Sequence, residues 1–282
     1  MKVDRASRPW IMRQMRVPQS VCDPMTEPES KSLFAEPRFV DTLDDCFFYH
    51  TMELPGLGVV HGHWDLRGRF DDYIGGVSVA GKSVLDIGTA TGFLSFESEK
   101  HDASKVVSFD LSDPRQQTFF PFKDKLYYRD YESFMSYHAV EVDRWKNAYW
   151  LCHRLLQSKS NVFYGDINRL PKELGQFDVA IVAAVLEHLN DQITALGSIA
   201  RVTKETMVIV TPVLQTEEPI ARLEPTADNP DYDYTWWRYS VGSYREILKI
   251  LGFSIARITE SQYRYDHGDR LETRSTIVAV RD

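Results

Sequence analysis

The residues best suited to chemistry fall in four short stretches. SVLDIGTATGF (83–93) carries one acid, Asp86, and then Gly88 and Gly92 on a loop that opens into the helix-like FLSFESEK. Val84, Leu85 and Ile87 before the loop are apolar with a β-branched bias, as a strand buried on both faces requires. Glycine at a strand-to-helix turn lets the backbone approach a ligand closely, and the new helix start offers unpaired N–H groups. VVSFD (106–110) ends in Asp110, near the interval of ~20 residues after the loop expected of a carboxylate that accepts from both ribose hydroxyls. NVFYGDINRLP (161–171) closes a third strand pattern on Gly165, Asp166 and Ile167. FDVAIVAAVLEHL (177–189) supplies a fourth, with Glu187 and His188 behind it.

Two cofactor readings compete for the glycine loop. A dinucleotide site wants G-x-G-x-x-G, and only Gly88 fits, because Ala90 and Phe93 hold the other glycine places. The acid-x-G-x-G-x-G loop of class I S-adenosylmethionine (SAM) methyltransferases is matched by Asp86, Gly88 and Gly92, with Ala90 the departure. The order strand-loop-helix, strand-acid, strand-Gly-Asp and FDV-strand-LEHL resembles that family from about Phe48 to the end of the chain. The resemblance implies an α/β fold with a doubly wound, seven-stranded, Rossmann-like sheet. A C-terminal antiparallel hairpin would close it, under a helical and aromatic cap.

It also implies SAM as methyl donor, S-adenosylhomocysteine (SAH) as product, and a role for each position. Gly88, Thr89, Ala90 and Gly92 would pass under the methionine moiety, with Phe93 behind them and Asp86 steadying the loop. Asp110, followed by Leu111, would hold the ribose. Asp166 would meet the adenine amino group, with Ile167 beside the ring, and Ala183, Ala184 and Val185 would line the methionine end. Glu187 and His188 occupy the place that faces the methyl group in many small-molecule members. A neutral His188 there could take a proton from a hydroxyl or amine, or it could be a helix-start histidine bonded to backbone. Trp236, Trp237 and Tyr239 lie where such enzymes build a lid. They either stack on an acceptor and enclose the sulfonium by cation–π contact, or form a satellite apolar cluster.

The elements around these motifs follow from periodicity and turn chemistry. DTLDDCFFYHTMELPG reads as a helix with Asp41 as its N-cap, running into a Pro-Gly turn. VVHGHWDLRGRFDDYIGG then packs His61, His63, Trp64, Asp65 and Arg67 into a short loop. FYHTMELP, a glycine turn and WDLRG are similar to the segment that precedes the SAM loop in the tRNA wobble-uridine-modifying branch and helps close the site. That similarity puts His61, His63 and Trp64 on the substrate side. The two histidines lack companions at metal-ligand spacing, so no metal is expected. After the aromatic-rich FFPFKDKLYYRDY, an apolar stripe from Ala139 through Val142, Trp145, Tyr149 and Cys152 predicts a helix on the sheet. An aromatic connection of that length suggests a lid or an acceptor wall. QITALGSIARV and SVGSYREILKILGF read as helices, the second capped by Ser240 or Ser243 and ended by Gly252. ETMVIVTPV reads as the fifth strand, and SIARITE and RSTIVAV as two more, joined by the turn Asp266-His267-Gly268-Asp269.

The expected organisation is an irregular arm over 1–40, a helical cap segment over 41–80, and a SAM-binding domain over 81–282. Cap insertions fall at about 112–145 and 214–240 of that domain. The arm is basic at Arg5, Arg8, Arg13 and Arg16; it is a flap, the subunit arm of a homodimer, a targeting signal or a loose tail. Net charge is −8, with a pI near 5.5, which argues against a broad phosphate-binding surface. No apolar run approaches the ~20 residues that cross a bilayer. Three scattered cysteines make no disulfide framework, and a reduced cytoplasmic protein is expected. The favoured function is methylation of a small-molecule acceptor at oxygen or nitrogen, with nucleic acid and membrane not expected as partners. The rivals are a tRNA wobble-uridine methyl- or carboxymethyltransferase, suggested by the segment before the loop, and a methyltransferase-like subunit without catalysis, suggested by Ala90.

Overall fold

A computed structural model describes residues 32–265 and 269–282. The basic arm up to residue 31 and the turn residues 266–268 therefore lie outside the described residues. Numbering only the strands of the main sheet, these are β1 (Trp64–Asp65), β2 (Ser83–Ile87), β3 (Lys105–Leu111), β4 (Asn161–Gly165), β5 (Phe177–Ala183), β6 (Thr203–Thr211), β7 (Phe253–Tyr265) and β8 (Arg270–Arg281). The longer helices are α1 (Phe93–Lys100), α2 (Tyr131–Leu155), α3 (Gln192–Val202) and α4 (Val241–Ile250). Among the described residues no helix is long and apolar enough to cross a membrane.

The sheet runs β1-β7-β8-β6-β5-β2-β3-β4. Strands β2 to β6 are parallel, whereas β8, β7 and β1 add antiparallel edges. The chain steps outward from β2 through β3 to β4, then returns to β5 on the other side of β2. The direction of winding thus reverses between β2 and β5. A crevice opens above the carboxyl ends of strands at such a switch point. Alternation along the strands makes the sheet two-faced. Val84, Val106, Val179 and Val208 pack with α1 and α2, and their neighbours Leu85, Val107, Ala180 and Ile209 pack with α3 and α4. Both faces are covered, which explains the near-continuous apolar runs.

Two expectations need correction. The sheet has eight strands rather than seven, because Trp64 and Asp65 pair with Tyr265 and Arg264 and extend its antiparallel edge. The predicted helix beginning at Asp41 is not a helix. The chain is irregular there, with a turn over residues 43–45, and leads into a hairpin of Met52–Leu54 with Gly58–Val60. The reason is tertiary. The amides of Tyr49 and His50 both donate to the Thr91 hydroxyl, at 2.8 and 3.0 Å, and the Thr51 amide donates to the Trp64 carbonyl at 2.7 Å. A helix would withdraw all three donors. It would also lift Phe48, Met52 and Leu54 out of the core they share with α1 and α2.

Candidate active site

The glycine loop is held by its backbone. Gly88, Ala90 and Gly92 alternate in the left-handed region, with φ of +74°, +47° and +91°. At Gly88 a Cβ would stand 2.2 Å from Val185 Cγ2, and at Gly92 it would stand 2.4 Å from the Phe96 ring. Side chains are thus excluded at both ends, where the loop meets β5 and enters α1. The threonines between them point inward. Thr89 Oγ1 donates to Asp86 Oδ2 at 2.8 Å, and Ser95 Oγ donates to the same oxygen at 2.7 Å. Asp86 is fully buried, and burial pushes its pKa up to about 6; its Oδ1 has no hydrogen-bond partner. It braces the loop from beneath.

Asp110 ends β3 beside the loop. Its Oδ2 accepts from the Ala90 amide at 3.0 Å and its Oδ1 from the Leu111 amide at 2.8 Å. Burial drives its carboxyl upward against these two bonds. Each oxygen still has acceptor capacity, and the side chain lines a cavity of about 510 Å³ above the switch point. Gly88, Ala90, Leu111, Ile167 and the β5 end, Ala183 to Val185, line the same cavity. Asp86, Thr89, Gly92 and Phe93 stand behind that wall. Asp166 is also outside it: its carboxylate caps the turn Ile167–Arg169 by accepting from the Asn168 amide at 2.9 Å.

The opposite half of the cavity is built from distant parts of the chain. His188 lines it, and His188 Nδ1 lies 2.8 Å from the carbonyl oxygen of Tyr234. A carbonyl only accepts, so the ring proton sits on Nδ1 and Nε2 is left as the proton acceptor. Glu187, buried at the cavity wall, accepts from the Thr211 hydroxyl at 3.0 Å. Its own carbonyl takes the Trp236 amide at 2.9 Å, which docks the insertion after β6 onto this turn. Trp237, His63 and Trp64 line the cavity, and His61 lies exposed outside it. Trp236 packs away from it, with Nε1 donating to the Thr118 carbonyl at 3.3 Å and the ring 5.3 Å from Phe120. Tyr239 packs instead against Tyr244, at 5.8 Å between ring centroids.

The family described as Methyltransferase domain matches residues 67–257, more than half of the chain and all of the glycine loop, Asp110 and His188. The chain belongs to that family. No curated protein sequence matches it. Among solved structures it is similar to magnesium protoporphyrin IX methyltransferase from Synechocystis PCC 6803 with bound SAH. There the identity is 15%, the coverage 76% of this chain and 80% of that one, and the TM-score 0.49. The N-terminal domain of EvdMO1, solved with SAH and D-fucose, is 15% identical over 85% of this chain and 92% of that one, with a TM-score of 0.48. A Burkholderia thailandensis 1,6-didemethyltoxoflavin-N1-methyltransferase is 14% identical over 77% of each chain, with a TM-score of 0.46.

The methyltransferase is of the SAM-dependent class I kind, and its cavity fits that donor on its own geometry. Cavities of about 300–1,000 Å³ hold ligands of nucleoside size. The bare backbone at Gly88 and the open acceptor valences of Asp110 are what a nucleoside and its sugar hydroxyls need. Several residues of the methyltransferase's site escaped the motif reading. Thr91 lies inside the quoted loop, yet its function, accepting two amides from residues 49 and 50, has no local signature. The orienting group for His188 is a main-chain carbonyl, which no residue type announces. Arg274 reaches the cavity wall from a strand that read only as structure, and His50 reaches it from the segment before the glycine loop without having been singled out there.

Proposed function

We propose that this methyltransferase methylates a small-molecule acceptor at oxygen or nitrogen, with Asp110 holding the donor's ribose and His188 Nε2 receiving the acceptor's proton. SAM, when bound, supplies a methyl group already activated by its sulfonium charge. The protein therefore has to align the reactants, exclude water and take up one proton. Gly88, Ala90 and Ala183 to Val185 would border the methionine end, and Ile167 the base. Asp86 and Thr89 fix the loop without touching the ligand. Glu187, Trp237, His63 and Trp64 would close the acceptor side.

The observation that carries this reading is the pairing of the His188 ring with the Tyr234 carbonyl in the cavity that Asp110 also lines. Transfer to a hydroxyl oxygen or to a neutral nitrogen that bears hydrogen forms the new bond from that atom's lone pair to the methyl carbon, breaks the carbon–sulfur bond and releases a proton. A histidine whose Nδ1 carries the ring proton presents Nε2 to take it. The acidic net charge of −8 supports a small molecule over a polyphosphate.

The reading is tested by calorimetry with SAM and by transfer of labelled methyl groups into a small-molecule extract. Asp110→Ala should abolish measurable SAM binding. His188→Ala should bind SAM like the wild type and transfer label at roughly 10²–10⁴-fold lower rate, the usual contribution of a general base. Unchanged transfer by the histidine variant would remove it from the mechanism.

A further inference from the structure

We propose that the acceptor carries an anionic group, a carboxylate or phosphate set apart from the methylated atom, and that Arg274 is the residue that holds it. The proposal rests on the methyl-transfer reading for the location of the acceptor half of the cavity. Three arginines reach that half. Arg238 is paired with Glu224 at 2.6 Å, and Arg270 with Glu272 at 3.6 Å. Arg274 has no carboxylate within ion-pair distance among the described residues, although its Nε is buried and without a hydrogen-bond partner. A buried guanidinium N–H left without an acceptor is costly, and an anion arriving in the cavity relieves that cost.

The placement of Arg274 suits such a ligand. On β8 its neighbour Ser275 pairs with Thr211, the residue whose hydroxyl holds Glu187. Arg274 itself points to the other face of the sheet, over Trp64, and lines the cavity that Glu187 and His188 also line. Its guanidinium lies 4.8 Å from the centroid of the Trp64 ring, which keeps the planar group in one orientation. A fixed fork of this kind binds carboxylate or phosphate through two parallel N–H bonds, which a flexible lysine matches poorly. The carboxylates nearby do not fill the place. Glu224 is shared by Arg222 and Arg238, and Glu187 is engaged by Thr211. Trp64 and Tyr265, tilted against each other with ring centroids 4.7 Å apart, offer the body of the ligand an aromatic surface beside that fork.

The test uses the whole protein loaded with SAH and three probes of similar shape: benzoate, phenyl phosphate and neutral benzamide. At least one anion should bind where benzamide does not, and which anion binds tells a carboxylate site from a phosphate site. Arg274→Gln should weaken that anion about 10- to 100-fold, the scale of a lost charge-assisted pair, with SAH affinity unchanged within about twofold; Arg274→Lys should recover part of the loss. Benzamide binding as well as the anions, no binding of either anion, or an unaltered anion affinity in Arg274→Gln would each overturn the proposal. A wild type that fails to bind SAH would sink the donor reading and this proposal together, a failure recognisable at the loading step. Retained SAH binding by the glutamine variant also shows that it is folded.

Discussion

Ala90 illustrates what a single residue does here. A left-handed conformation costs an ordinary residue about 1–2 kcal/mol, and Ala90 adopts it with φ of +47°. That conformation accompanies an amide bonded to the Asp110 carboxylate at 3.0 Å. The departure from glycine therefore leaves the loop-to-carboxylate link intact. Asp86 and His50 are two further buried groups whose environments push in opposite directions. Burial raises Asp86 from 3.8 to about 6 and lowers His50 from 6.5 to about 3. Between about pH 4 and pH 6 the folded chain binds more protons at Asp86 than the unfolded chain does, so this residue lowers stability as pH rises. His50 has the reverse sign: the unfolded chain takes up its proton first, so stability is lost as pH falls from about 6.5 toward 3. Asp86→Asn should therefore gain stability relative to the wild type as pH rises from 4 to 6, by at most about 3 kcal/mol. Denaturant melts of the ligand-free protein at several pH values measure that difference. A constant offset between the two proteins would contradict it.

At the scale of elements, caps and junctions were legible wherever the signal is local. Ser240 was one of two candidate caps, and it is the one used: its hydroxyl accepts from the Ser243 amide at 3.0 Å to start α4. The same fully buried hydroxyl donates to the Glu218 carbonyl at 2.6 Å, which ties the insertion after β6 to the helix. Ser240→Ala should cost about 1–2 kcal/mol of stability in a denaturant melt. The stretch QITALGSIARV coincides with α3 because its periodicity and its Asp191 cap agree. The irregular run over residues 47–51 was illegible for the opposite reason. Its hydrogen-bond partners are Thr91, Trp64 and Arg144, and no window around Phe48 contains the last two and the first together. SIARITE and RSTIVAV captured only part of β7 and β8, which run for 13 and 12 residues. The remainder of β7, from Ser261 to Tyr265, pairs with β8 where that strand has left β6, so its partner and the buried Tyr263 side chain are supplied only by the fold. The same contrast divides the site. Its donor half follows the chain in contiguous motifs, whereas Tyr234, His50 and Arg274 meet only through the fold.

Across the whole molecule, the two insertions form one cover. The Trp236 ring of the second donates to the Thr118 carbonyl of the first, Phe120 packs at a tilt against it, and Lys125 pairs with Asp231 at 2.8 Å. The hydroxyl of Thr91 binds the glycine loop to the segment carrying Tyr49 and His50. One oxygen atom therefore serves as the hinge pin between the shelf under the donor and the wall facing the acceptor. Thr91→Val keeps the shape and removes the pin, stranding two amides at about 1–3 kcal/mol each. Such a protein should melt earlier and need more of both ligands for half-maximal rate, since neither compartment can loosen without the other.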